Sequence, residues 1–125
     1  MIKVLIVEDE AEMQENCVRI LRRHGYACLS ARSGREAFAL MEAERPELVL
    51  TDIHLGEVNG IEVARKAMQA SPPISVVVMS AYGTAAVRET ARGTSVMVFL
   101  QKPFSMKELV EAVELALSRP PVKET

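Results

Sequence analysis

Apolar positions along this chain fall into two rhythms. Short, nearly continuous apolar runs occur at Val4–Val7, Leu48–Leu50, Ile74–Met79 and Val96–Leu100. They are too short for helices and rich in β-branched residues, so they read as buried strands. Tyr26–Ala31 is a fifth, more mixed strand. Between the runs the spacing becomes helical. Met13, Cys17, Ile20 and Leu21 form one apolar stripe, predicting a helix from about Ala11 to His24. Arg22, Arg23 and His24 suit its C-terminal end, and Gly25 is the expected terminator. Ser33 reads as an N-cap with Glu36 three residues on, opening a second helix that stops before Pro46. A third helix is expected over Ile61–Ala70, before Ser71-Pro72-Pro73. A fourth, over Thr84–Arg92, has few apolar anchors. A fifth, over Ser105–Leu117, carries Leu109, Val110, Val113, Leu115 and Leu117.

Five strands alternating with five helices predict an α/β fold. Right-handed crossovers wind helices onto both faces of a parallel sheet. The expected strand order is 2-1-3-4-5, a flavodoxin-like (βα)5 arrangement with its functional crevice beyond the carboxyl ends of strands one and three. The 125 residues suit one domain, placed at 2–118, with 119–125 as a tail or the start of a linker.

Bulk composition changes the picture little. Hydrophobic residues make up 49% and charged residues 26%, with a net charge of −2, so no basic surface calls for nucleic acid. No apolar run approaches the roughly 20 residues of a membrane span. The first residues enter a strand directly, without a signal-peptide pattern, so a cytoplasmic protein is expected. Cys17 and Cys28 lack metal-type spacing and are expected to be reduced, buried packing residues.

The strand ends carry the chemistry. Glu8-Asp9 end the first strand and Asp52 the third. Ser80 follows the fourth, and Lys102-Pro103 the fifth. Three carboxylates at one sheet edge repel; two unit charges about 4 Å apart interact by on the order of 4 kcal/mol at an effective dielectric of 20. Proton uptake or a divalent cation would offset this. All-oxygen ligation favours Mg²⁺. Acids, cation, lysine and hydroxyl together suit phosphoryl transfer onto a carboxylate nucleophile, Asp52. No Gly-x-x-x-x-Gly-Lys-Ser/Thr loop is present, which argues against a bound nucleotide.

With these residues in place, residues 2–118 resemble the receiver domains of two-component response regulators. The resemblance rests on Glu8-Asp9, Asp52, Gly60 eight residues later, Ser80-Ala81 and Lys102-Pro103-Phe104, in order and at matching spacings. It implies a signalling switch and not an enzyme: Asp52 accepts phosphate from a histidine kinase, a phosphotransfer protein or a small phosphodonor. It implies Mg²⁺ on Asp9 and Asp52, with Glu8 assisting and the backbone carbonyl of His54 completing the protein ligands. Lys102 would hold a phosphoryl oxygen. Ser80 and Phe99 would be the switch pair, biasing the face made by the expected helix at 84–92, the last strand and the last helix. His54, Ala81 and Tyr82 would flank the phosphoryl group, with Tyr82 shielding it from water. A homodimer formed on phosphorylation is compatible with the pattern. The chain departs from the family at Glu8, where Asp is frequent, at Gly56 for Pro, at Phe99 for Tyr, and at Ser95-Val96 for Gly-Ala.

Two other readings compete. A small Mg²⁺-dependent phosphatase also using an aspartate nucleophile would need a second acid two residues on, where His54 stands. A phosphorylation-independent interaction module would have no need of the full acid, hydroxyl and lysine set. Output type and cognate kinase are not written in these residues, and both a stand-alone regulator and a receiver within a larger protein fit the Pro120-Pro121 tail.

Overall fold

In the computed structural model, residues 1–81 and 97–118 are described. Five strands are observed: β1 (Lys3–Val7), β2 (Ala27–Ala31), β3 (Leu48–Asp52), β4 (Ser75–Ser80) and β5 (Val98–Gln101). Among the described residues there are four helices: α1 (Ala11–Arg23), α2 (Gly34–Glu44), α3 (Gly60–Gln69) and α4 (Met106–Ser118), the last being the helix expected fifth. The sheet is parallel throughout, in the order β2-β1-β3-β4-β5, as the alternation predicted. The helix expected over Thr84–Arg92, Tyr82, the start of the last strand at Val96 and the tail at 119–125 lie outside the described residues.

The period of two along each strand divides the core. Leu5, Val7, Val49, Val76 and Val78 pack with Ala37, Met41, Ile61 and Ala64 of α2 and α3. Val4, Ile6, Leu48, Leu50, Val77 and Met79 pack with Cys17, Leu21, Leu109 and Val113 of α1 and α4. β1, β3 and β4 sit between these layers, which is why they read as continuous apolar runs.

Caps and local bonds fix the element ends. The Ser33 hydroxyl accepts from Glu36 N at 3.2 Å, as expected, while the Glu36 carboxylate accepts from Arg32 N at 2.8 Å, one residue before the cap. The Asn59 side chain accepts from Ile61 N at 2.7 Å, so α3 begins at Gly60. Ile74 N donates to Ala67 O at 3.0 Å and not into the ladder, so β4 starts one residue later than its apolar run. At its other end Lys102 N donates to Ser80 O at 2.8 Å, drawing Ser80 into the sheet edge. Cys17 is fully buried, whereas Cys28, on the outer strand β2, is only half-buried; both are free thiols. Among the described residues no helix is long and apolar enough to cross a membrane.

Candidate functional site

The same alternation that sorts the core places the charged residues. Val4 and Ile6 face α1 and α4, and Glu8 is the next position on that side. Leu48 and Leu50 lead likewise to Asp52, and Val98 and Leu100 to Lys102. Three strands therefore deliver two acids and a lysine to one side of the sheet end. The Lys102 ammonium lies 2.7 Å from Glu8 Oε1 and 3.3 Å from Asp52 Oδ2, bridging both carboxylates. The peptide between Lys102 and Pro103 is cis.

Burial sets the electrostatics. Glu8 is 0% exposed and Asp52 7%. Desolvation raises the Glu8 carboxyl to about 7, although the Lys102 hydrogen bond pulls the other way; the Asp52 charge pushes it further up. For Lys102, burial favours the neutral amine, but the two carboxylates outweigh it and hold the ammonium above its ordinary range. Glu8 Oε2 is buried without a hydrogen-bond partner, the only such side-chain atom among the described residues. A buried acceptor left so is costly unless a proton or cation meets it. Asp9, exposed one residue on, completes an acid cluster: one oxygen each from Glu8, Asp9 and Asp52 lie within 4.8 Å of one another. An orphaned buried carboxylate oxygen inside an all-oxygen set fits a hard divalent cation such as Mg²⁺.

The backbone around Asp52 is pinned. His54 N donates to Asp52 Oδ1 at 3.3 Å. Thr51 Oγ1 donates to Asp52 O at 2.9 Å. Gly60 N donates to Ile53 O at 2.9 Å, bringing the first residue of α3 directly against the Asp52 peptide. A Cβ on Gly60 would stand 2.0 Å from Asp52 O and 2.6 Å from Ile53 Cα, so this position requires glycine.

Other sequence-predicted residues take different places. Ser80 is buried at the end of β4, next in the alternation after Val76 and Val78, which face α2 and α3. Phe99 is half-buried and packs on that same layer. The two expected switch residues thus share the face opposite Glu8, Asp52 and Lys102. The His54 and Ala81 side chains are exposed. Tyr82 lies outside the described residues. The sequence places Lys102 at the same sheet edge as the acids; its shorter contact is with Glu8, a pairing that the period of two could have revealed. Sequence reasoning missed a reciprocal cap on α4, where Glu108 N donates to Ser105 Oγ at 3.0 Å and Ser105 N to Glu108 Oε1 at 2.9 Å. The Ser-x-x-Glu spacing was the available signal.

A doubly wound parallel sheet carrying acids and a lysine at its carboxyl edge is the arrangement expected of a phosphoacceptor signalling domain. The family model described as response regulator receiver domain matches residues 4–114. Transcriptional regulatory protein PdtaR of Mycobacterium tuberculosis is 39% identical over 119 residues, covering 94% of this chain and 57% of that protein. The chain thus spans little over half of that relative's length. Sporulation initiation phosphotransferase F of Bacillus subtilis is 29% identical over 112 residues, 90% of each chain. A response regulator receiver domain protein from Clostridium thermocellum superposes with a TM-score of 0.85 at 22% identity, covering 95% of this chain and 96% of that one, and attests the fold. The chain belongs to the response regulator receiver domain family. Such domains serve phosphoacceptor signalling in two-component systems and are not classical enzymes. Response regulators are phosphorylated by histidine kinases or phosphotransfer proteins, and the family typically binds Mg²⁺.

Proposed function

We propose that Asp52 is the phosphoacceptor of a Mg²⁺-dependent switch spanning residues 2–118. The observation that carries this reading is the Lys102 ammonium held between Glu8 and Asp52, at 2.7 and 3.3 Å, beside an orphaned carboxylate oxygen. A phosphoryl group arriving at Asp52 brings charge that the acids alone would repel. Asp9, Asp52 and the His54 carbonyl, with Glu8 assisting, would hold Mg²⁺, which would neutralise charge on the phosphoryl group. Lys102 turns from the carboxylates to a phosphoryl oxygen without leaving the site. The bond from phosphorus to its donor breaks as a bond from phosphorus to an Asp52 oxygen forms, and the donor leaves with the electron pair. The pinned Asp52 peptide keeps the nucleophile oriented through this exchange.

Output requires a biased two-state element. Shifting a population from 1:99 to 99:1 takes about 5.5 kcal/mol. A charge-assisted hydrogen bond from Ser80 supplies roughly 1.5–3 kcal/mol. Ser80 therefore acts together with Lys102 and a repacked Phe99, and the signal leaves on the side of β5 and α4. The partners are a histidine kinase or phosphotransfer protein upstream and, on phosphorylation, a second copy of the chain. Incubation with acetyl phosphate, followed on gels that retard phosphoproteins, tests the metal requirement. A retarded band with Mg²⁺ and none with excess EDTA is expected; equal phosphorylation in both would refute the Mg²⁺ role.

A further inference from the structure

The geometry points to Gln14 as a positioning residue for the acid pair Glu8-Asp9, an inference that rests on the Mg²⁺ site proposed above. Gln14 lies in the first turns of α1, and its backbone N donates to Glu10 O at 3.0 Å. Its side chain reaches back over the helix end to the sheet. Nε2 lies 2.8 Å from Ala31 O, the last residue of β2, and 3.4 Å from Glu8 O. Both neighbours are carbonyl oxygens, which only accept, so the end of the amide that faces them is its NH₂. Ala31 O also accepts from Glu8 N at 3.0 Å. One carbonyl of β2 and one amide of α1 thus hold the peptide groups on both sides of Glu8.

That placement matters because β1 ends at Val7. Glu8 and Asp9 lie past the last residue of β1, where the bond from Glu8 N to Ala31 O is joined by those of the Gln14 amide. The Glu8 carbonyl belongs to the peptide joining the two acids, and its tilt sets the direction in which both side chains leave the backbone. The acids must bring their oxygens within a few ångströms of Asp52, on a neighbouring strand, to share one cation. The Gln14 amide bonds to the carbonyls of Ala31 and Glu8 and not to an acid side chain, so it acts on the acids through the peptide. Groups that orient metal ligands from behind commonly govern affinity by tenfold or more.

Gln14→Met keeps the length and packing of the side chain and removes both donated bonds; Gln14→Ala removes the reach as well. Mg²⁺ binding to the unphosphorylated proteins is measured by calorimetry, and acetyl-phosphate phosphorylation is measured across Mg²⁺ concentrations. Both variants are expected to weaken Mg²⁺ affinity by roughly tenfold, while the phosphorylation rate at saturating Mg²⁺ returns to within about twofold of wild type. Amide hydrogen exchange at Glu8 and Asp9 is expected to accelerate, with that of β3 unchanged. If either folded variant binds Mg²⁺ with wild-type affinity, the inference is overturned, even where its urea midpoint falls. Should Gln14→Met not fold, Gln14→Ala decides by the same readout; loss of folding in both, with Gln14→Asn folded, would make Gln14 a folding residue and overturn the inference too. Failure of wild type itself to bind Mg²⁺ would instead remove the proposed site.

Discussion

Gly60→Ala sets two physical effects against each other. Gly60 is the first residue of α3, where alanine is ordinarily the better helix former by roughly 0.5–1 kcal/mol. Propensity alone thus predicts a stabilised protein. Against this, the added Cβ would meet Asp52 O at 2.0 Å, Ile53 Cα at 2.6 Å and the Asp52 carbonyl carbon at 2.8 Å. All three are backbone atoms, so no side-chain rotation relieves the clash. Real contacts of this kind stay above 3.0 Å, so the end of α3 and the Asp52 peptide must separate by about 1 Å. Overpacking of this size costs about 1–3 kcal/mol. The net expectation is a loss of about 1–2 kcal/mol by urea denaturation. The displaced peptide carries the proposed nucleophile, and a shift of about 1 Å slows a positioned reaction on the order of 100-fold. Phosphorylation by acetyl phosphate at saturating Mg²⁺ should slow accordingly. Gly25→Ala is the control. Gly25 has φ +87° with nothing within 4 Å of an added Cβ. It should lose roughly 1–2 kcal/mol to left-handed strain and keep its phosphorylation rate. A Gly60→Ala protein as stable and as quickly phosphorylated as wild type would refute the reasoning.

Three further outcomes are expected. Glu8 is held near 7 when folded and at its ordinary carboxylate value, 4.5, when unfolded. Without metal the folded state keeps a proton that the unfolded chain releases, so its contribution is fully present below pH 4.5 and is lost as pH rises towards 7. Relative to wild type in EDTA, Glu8→Gln should therefore gain stability between pH 5 and pH 8, by on the order of 2–3 kcal/mol; a pH-independent difference contradicts this. Lys102→Met leaves two buried acids facing each other and should cost on the order of 3 kcal/mol at pH 8. The cost should be smaller at pH 6, where Glu8 takes up a proton, and equal urea midpoint shifts at the two pH values would count against the bridge. Ser105→Ala removes the hydroxyl that accepts from Glu108 N at 3.0 Å and should lower stability by about 1 kcal/mol without changing phosphorylation; an unchanged midpoint would show that this cap contributes nothing.

Much of this was legible in the sequence because β1, β3 and β4 are buried on both faces, leaving apolar runs whose polar ends stand out. Strand order followed from the alternation of elements, and the site from the rule that such sheets work at their carboxyl edge. Element ends were less legible where single hydrogen bonds decide them, as at Ile74, whose amide turns to Ala67, and at Gly60, where Asn59 caps one residue early. The partition of the site into one face with Glu8, Asp52 and Lys102 and another with Ser80 and Phe99 is implicit in the strand period but needs the correct register. Contacts between distant segments, such as Gly60 against the Asp52 peptide or Gln14 on Ala31, have no periodic signature. They follow only from how α3 and α1 dock onto the sheet.

The central claim is that Asp52 accepts the phosphoryl group. Intact-mass measurement of wild type and Asp52→Asn after incubation with Mg²⁺ and acetyl phosphate tests it directly. The account predicts one labile phosphoryl adduct on wild type and none on Asp52→Asn. An adduct on both proteins would place the acceptor elsewhere, and no adduct on wild type would contradict phosphoryl transfer to this site.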